Sequence, residues 1–191
     1  MIPPGLLACA PNISPVTLEA VIRVESGGDP LAIHVNGVRT QPNPSKTAAE
    51  AAQVAERFIL RGYSVDLGLM QVNSGNLVAL GTTVERVMDP CINIRTGAAV
   101  LTADYAEAAR SHREGQAALQ AALSAYNTGS FDRGFANGYV AHYYGPGGVP
   151  ALVGGVDAAI TELAKRAAPP PNPYSADTSV FVREARHVRI E

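Results

Sequence analysis

Glu25 is the residue whose position in this sequence most strongly suggests chemistry. One face of a predicted helix carries Glu25 together with three apolar residues at three- and four-residue spacing, Leu18, Val21 and Ile22. Burial and the negative end of the helix dipole both disfavour a charged carboxyl there, so we expect a raised pKa, as a general acid requires. The alternatives are a structural carboxylate paired with a cation such as Arg23, or a carboxylate exposed at a frayed helix end.

The helix that must position Glu25 has a recognisable start and end. Ser14 is suited to cap the N-terminus, and Pro15 suits the first helical position. Gly27 and Gly28 can supply the left-handed residue that ends the helix. The pattern therefore places Glu25 in the last turn, facing inward.

Four short motifs follow one another along the chain: Glu25-Ser26, Gly68-Leu69-Met70-Gln71, Ala125-Tyr126-Asn127 and Tyr139-Val140. In this order they resemble the catalytic domain of the lytic transglycosylases of the soluble-lytic, goose-lysozyme-like type, over roughly residues 13–140. A narrower likeness is to the VirB1-type enzymes encoded with type IV secretion and conjugation systems. It is carried by residues 24–33, by Asn36-Gly37, and by residues 66–71 and 89–93.

The resemblance implies a mainly α, lysozyme-like domain with α+β character and short β-hairpin inserts. It also implies a peptidoglycan substrate: Glu25 protonates the bond between N-acetylmuramic acid and N-acetylglucosamine, then serves as base while the sugar's 6-hydroxyl closes onto the anomeric carbon. The products would carry 1,6-anhydromuramic ends. Such an enzyme, located in the periplasm, would open the cell wall locally for a secretion apparatus. Its partners would be glycan strands and components of that apparatus, and no cofactor is expected.

The resemblance assigns substrate-binding roles to three residues near the acid in these motifs. Ser26 would hydrogen-bond the substrate or hold the Glu25 region in place; capping of the helix end is the structural alternative. The amide of Gln71 would orient the sugar or the carboxyl, unless it is a surface amide. Met70 is expected in the wall of a cleft or in the core.

The later motifs add Tyr126, Asn127 and Tyr139. Tyr126 falls on an apolar helical stripe and is expected to be mostly core with a polar hydroxyl tip. Asn127 ends a helix and would shape the site through backbone hydrogen bonds. The resemblance places Tyr139 near the acid, although Tyr143 and Tyr144 follow closely and could serve instead.

Two other functions stay open. A lysozyme-like muramidase would hydrolyse the same bond with water as nucleophile and Asp29 or Asp66 as second carboxylate. Both aspartates are also typical of turns or caps. A catalytically silent peptidoglycan-binding assembly factor is the other alternative, although a pure binder has no need of a buried acid.

Cys9 and Cys91 are the two cysteines of the chain. Together with the periplasmic location that the resemblance implies, the even count favours a disulfide, and two buried free thiols are the alternative. Neither cysteine has a second Cys or His at ligand spacing, and the four His residues are dispersed, so no metal site is expected.

Composition limits the remaining possibilities. With 191 residues, of which 47% are hydrophobic, the chain can form one core, which we assign to residues 1–167. Residues 168–191 begin with a Pro-rich linker and are interpreted as a disordered or docking tail, or as one that packs back on the domain. A net charge of −2 with scattered basic residues argues against nucleic acid. No apolar run approaches the roughly 20 residues of a membrane span.

The apolar segment at the N-terminus is too short and too interrupted by proline for a signal peptide, so we interpret the chain as a mature form or one exported by another route.

Further along the chain, the pattern predicts a hairpin of residues 33–35 with Val38 around Asn36-Gly37. Helices are predicted after a capping box at residues 47–50 and ending at Gly62, then over residues 97–110, 116–127 and 156–166. Leu101, Tyr105 and Ala108 are expected to face inward on the second of these.

Overall fold

The computed structural model describes residues 2–111 and 115–144. Over these ranges the chain forms eight helices, three short strands and a 3-10 turn at Ser74–Asn76. The helices are α1 (Pro4–Leu7), α2 (Pro15–Ser26), α3 (Ala48–Ile59), α4 (Val84–Val87), α5 (Pro90–Arg110), α6 (Gly115–Thr128), α7 (Arg133–Ala136) and α8 (Ala141–Tyr144). The strands are β1 (Ile33–Val35), β2 (Val65–Leu67) and β3 (Val72–Asn73). The prediction of a mainly α architecture with a little β structure is confirmed.

The described residues form two units. The first holds residues 2–11 and 21–98, and the second holds residues 12–20, 99–111 and 115–144. The predicted helix over residues 156–166, the domain boundary at residue 167 and the tail at residues 168–191 lie outside the described residues. Within those residues, no helix combines the length and the apolar character that crossing a bilayer requires.

A three-stranded antiparallel sheet lies in the first unit, in the order β1-β2-β3. Ile33 pairs with Leu67 and Val35 with Val65. The predicted hairpin with Val38 is therefore wrong. The free edge of β1 is covered instead by a side chain, because the Gln41 amide accepts from Val35 N at 2.7 Å and donates to Val35 O at 3.0 Å.

Helix α3 packs against α4, β1 and β2 in the same unit. Its N-terminus has the predicted cap, since Thr47 Oγ1 accepts from Glu50 N at 3.1 Å. The glutamate of this motif reaches one residue further back than in a capping box and accepts from Lys46 N at 2.8 Å. The helix ends at Ile59, three residues before the predicted end, and Gly62 lies in the turn that follows, with a φ of +86°. Ala51 and Ala55 of this helix are completely buried.

Helix α5 begins seven residues before the predicted start at Gly97, because Asp89 Oδ1 accepts from Ile92 N at 2.9 Å and caps the helix there. Leu101 and Ala108 are buried as predicted. The prediction for Tyr105 is wrong, since this side chain is 39% exposed. The stripe of α5 that faces inward is therefore narrower than the sequence suggested.

In the second unit, α6 packs closely against α7. Ser124 Oγ accepts from Gly134 N at 2.8 Å and donates to Ser130 O at 2.6 Å. A Cβ at Gly134 would lie 2.6 Å from Ser124 Cα, so only glycine allows the two helices to approach this closely. Buried residues Ala108, Ala118 and Ala121 form a cluster with the partly buried Phe131 against it.

Cys9 and Cys91 form a disulfide with a Cα–Cα distance of 5.4 Å. The bond lies in the first unit and ties the segment that follows α1 to the first turn of α5. Both sulfurs are therefore engaged with each other, which is the pairing that the sequence analysis favoured over free thiols.

Candidate active site

Glu25 is the penultimate residue of α2. Leu18, Val21 and Ile22 on its helical stripe are completely buried, and Glu25 itself is half-buried. Gly27 and Gly28 follow with φ of +64° and +89°, so the chain leaves the helix immediately after the carboxyl. The sequence pattern thus predicted both the face and the turn on which Glu25 lies.

Ser26 connects the end of α2 to the loop of residues 68–71, which we call the 68–71 loop. Its Oγ lies 2.8 Å from Leu69 O and 3.1 Å from Ile22 O, and it accepts from Gly28 N at 3.2 Å. A hydroxyl has one proton, so the shorter contact, to Leu69 O, is the stronger donation. Of the two roles predicted for Ser26, these bonds favour holding the Glu25 region over contacting a ligand.

Two residues of the 68–71 loop have left-handed backbone conformations. Gly68 has a φ of +69°, and its N donates to Ala32 O at 2.8 Å. Gln71 has a φ of +46°, a left-handed conformation that is uncommon for a residue with a side chain. Its Nε2 donates to Gly68 O at 2.9 Å and to Ala32 O at 3.3 Å. The side-chain NH2 of Gln71 therefore donates to backbone carbonyls. The side-chain oxygen is then the group suited to accept a hydrogen bond from an incoming hydroxyl.

Met70 is completely buried. Of the two places predicted for it, this burial agrees with the core. Its backbone N donates to Asn93 Oδ1 at 2.8 Å.

Asn93 is a site residue to which the sequence analysis gave no role. It is 1% exposed, and its Nδ2 donates to Leu67 O at 2.8 Å and to Val87 O at 3.0 Å. A signal was present in the sequence: Asn93 shares a helical stripe with Gly97 and Leu101, and an amide on such a stripe indicates a buried polar contact.

The two candidate second carboxylates are both engaged in local structure. Asp29 Oδ1 accepts from Leu31 N at 2.8 Å, the pattern of an aspartate that stabilises a turn. Asp66 lies on β2, where one oxygen accepts from Asn36 Nδ2 at 2.8 Å and the other from Asn73 Nδ2 at 2.6 Å. Both oxygens of Asp66 thus hold neighbouring side chains.

The remaining predicted site residues lie in the second unit. Tyr126 is partly buried on α6, and the exposed Asn127 next to it accepts from Asn137 Nδ2 at 3.2 Å, a contact between side chains where backbone bonds were expected. Tyr139 is 8% exposed and its hydroxyl lies 2.8 Å from that of Tyr143. The two rings meet edge to face at 5.4 Å.

Tyr144, the other alternative to Tyr139, has a separate contact. Its hydroxyl donates to Gln116 Oε1 at 2.7 Å, and burial raises its pKa to about 12. Tyr139 and Tyr143 are therefore paired with each other, whereas Tyr144 is hydrogen-bonded to the start of α6. No group of three or more possible metal ligands occurs in the part of the chain that the structure describes.

Comparison with known proteins gives matches to one family. A family model described as the transglycosylase SLT domain matches residues 6–143. The chain is 42% identical over 132 residues to "Protein virB1" of Agrobacterium fabrum, covering 69% of this chain and 53% of that protein. It is 38% identical over 138 residues to "Type IV secretion system protein virB1" of Brucella abortus, covering 71% of this chain and 58% of that protein. The chain thus spans about half the length of these curated relatives, and no solved structure gives a significant match.

Proposed function

Because the chain belongs to the transglycosylase SLT domain family, with residues 6–143 matched, we propose that it cleaves peptidoglycan glycan strands as a lytic transglycosylase. The observation that carries the proposal is the placement of Glu25. It is half-buried in the last turn of α2, and the next residue is hydrogen-bonded to the 68–71 loop through Leu69 O at 2.8 Å. A half-buried carboxyl at a helix end that is hydrogen-bonded to a neighbouring loop suits proton transfer to a bound sugar.

In the proposed reaction the Glu25 carboxyl gives its proton to the oxygen that bridges N-acetylmuramic acid and N-acetylglucosamine. The bond from the anomeric carbon to that oxygen breaks, and the glucosamine chain leaves with a hydroxyl. The 6-hydroxyl of the muramic acid then attacks the anomeric carbon, and its proton returns to the Glu25 carboxylate. The product is a 1,6-anhydromuramic end, and no water is consumed.

A mechanism with one acid is supported by the state of the other carboxylates. Asp29 and Asp66 are the candidates for a second carboxylate, and both accept hydrogen bonds from other groups of the chain. An inverting or retaining hydrolase needs such a group free to activate water or attack the sugar. We further propose that the amide oxygen of Gln71 receives a sugar hydroxyl, and that Tyr126, Asn127 and Tyr139 contribute to glycan binding.

The names of the relatives suggest the setting of this reaction. One is called a type IV secretion system protein, so we propose that the chain acts in the periplasm and opens the cell wall locally for such an apparatus. Glycan strands would be its substrate and components of the apparatus its partners.

The decisive experiment is mass spectrometry of peptidoglycan digested by the 191-residue chain. We expect anhydro ends from the parent protein, no cleavage by Glu25→Gln, and full cleavage by Glu19→Gln, a control on the same helix. Reducing ends that disappear in Asp29→Asn or Asp66→Asn would show a muramidase instead. Glycan binding without cleavage by the parent protein would show a silent binding factor.

A further inference from the structure

The buried amide of Asn93 is hydrogen-bonded to the 68–71 loop and to two neighbouring backbone carbonyls. We infer that Asn93 is a positioning residue, whose amide sets the conformation of the 68–71 loop and, through Leu69 O and Ser26, of the helix end that carries Glu25. The effect of Asn93 on catalysis rests on the proposed function. Its effect on the conformation of the 68–71 loop depends only on hydrogen bonds within the first unit.

The hydrogen-bonding capacity of the amide matches what surrounds it. Its oxygen accepts from Met70 N at 2.8 Å, and its two protons go to Leu67 O at 2.8 Å and Val87 O at 3.0 Å. These three backbone groups belong to the loop, to β2 and to α4. One side chain that is 1% exposed therefore joins three separate segments. Neither an aspartate nor an apolar residue has one acceptor and two donors at neutral pH.

Gly68 fits against this amide as the second half of the arrangement. A Cβ there would overlap Asn93 Nδ2 and lie 2.9 Å from Asn93 Cγ. The φ of +69° at Gly68 also favours glycine. The loop can follow its path only because glycine lets the backbone pass directly over the amide.

The conformation that Asn93 holds is one that the loop would otherwise leave. Gln71 has a φ of +46°, and residues in such sparsely populated regions persist only where the surrounding structure holds them. Met70 N, one residue earlier, is fixed by Asn93 Oδ1. Loss of that bond lets Gln71 relax, which moves Leu69 O and with it the hydroxyl of Ser26.

The test compares Asn93→Ala and Asn93→Asp with Ile94→Ala. The control removes a completely buried side chain from the next position of α5, and the hydrogen bonds described above for the loop do not involve it. The first readout is hydrogen exchange of the Met70 amide in the intact chain, which needs no activity. The second is kcat and KM for soluble glycan strands, measured per folded molecule below the unfolding transition of each variant.

We expect exchange at Met70 to accelerate at least about tenfold in Asn93→Ala, and kcat to fall about 10- to 100-fold with KM nearly unchanged. Ile94→Ala should lose stability but keep its kcat within about twofold. In Asn93→Asp the buried carboxyl gains a proton as the pH falls. It then has one acceptor and one donor, so its kcat relative to the parent should recover toward low pH.

Unchanged exchange at Met70 in Asn93→Ala would overturn the inference. So would equal losses of kcat in Asn93→Ala and Ile94→Ala, since that pattern would mean general destabilisation. If the parent protein does not cleave glycan at all, the proposed function fails, and hydrogen exchange alone decides whether Asn93 holds the loop.

Discussion

Replacing Ser26 with alanine tests the link between the helix end and the 68–71 loop. The change removes the donor to Leu69 O, 2.8 Å away, and the acceptor for Gly28 N, 3.2 Å away. Leu69 is only 2% exposed, so water is a poor substitute donor for its carbonyl. Gly28 is more exposed, so its N–H can find water.

The expected loss follows from these two environments. A buried polar group left without a partner, such as Leu69 O, costs about 1–3 kcal/mol, whereas a solvated one, such as Gly28 N, costs little. We therefore expect the free energy of unfolding to fall by about 2 kcal/mol in Ser26→Ala. For a chain of this size that corresponds to a decrease in Tm of about 4–8 °C. Because the loop and the Glu25 helix end would lose their connection, kcat should fall about tenfold or more while KM stays nearly constant.

The assay is urea unfolding together with steady-state kinetics on soluble glycan strands of defined length. Ser111→Ala is the matched control, because Ser111 directly follows a helix and its Oγ donates within its own turn, to Glu107 O at 3.2 Å, at an exposed position. That variant should stay within about 0.5 kcal/mol of the parent. If Ser26→Ala unfolds like the parent and only KM rises, Ser26 contacts substrate and the reasoning about the link is refuted.

Two further predictions concern stability. Removing the disulfide with Cys9→Ser and Cys91→Ser together should lower the free energy of unfolding by about 4.5 kcal/mol in the loop-entropy model, given the sequence separation of 82. Urea unfolding under non-reducing conditions measures this change, and an unchanged midpoint would contradict it. Burial raises the pKa of Asp104 to about 7, so the folded chain holds a proton that the unfolded chain releases near pH 4. The parent should therefore lose stability as pH rises from about 4 to about 7, and Asp104→Asn should flatten this dependence; parallel curves for the two proteins would contradict it.

The parts of the fold that the sequence predicted depend on residues close together in the chain. Pro15 and the Gly27-Gly28 pair bound α2 as expected, since proline and glycine act within one helical turn. Thr47 caps α3 for the same reason. The early start of α5 was equally local, because Asp89 caps Ile92 N three residues later, and the sequence analysis did not use that signal.

The features of the candidate site also divide into those that the sequence predicted and those that it did not. Spacing alone placed Glu25 on the buried stripe of α2, and motif order was sufficient to indicate the family that the comparisons confirm. Spacing did not reveal that Ser26 bonds to Leu69 O, 43 residues away, or that Asp66 is held by Asn36 and Asn73. The catalytic and binding roles stay predictions until the variants above are measured.

The sequence by itself determined the start and end of α2, the buried face of that helix and the position of Glu25 in its last turn, because these features depend on residues within one or two helical turns of each other. Only the tertiary structure decided that β1 pairs with β2, 30 residues away, and that Asn93 joins segments up to 26 residues distant. Many backbone carbonyls of the chain could accept such partners. The packing of the whole unit selects among them, because each buried polar group must find a bond that the others leave available.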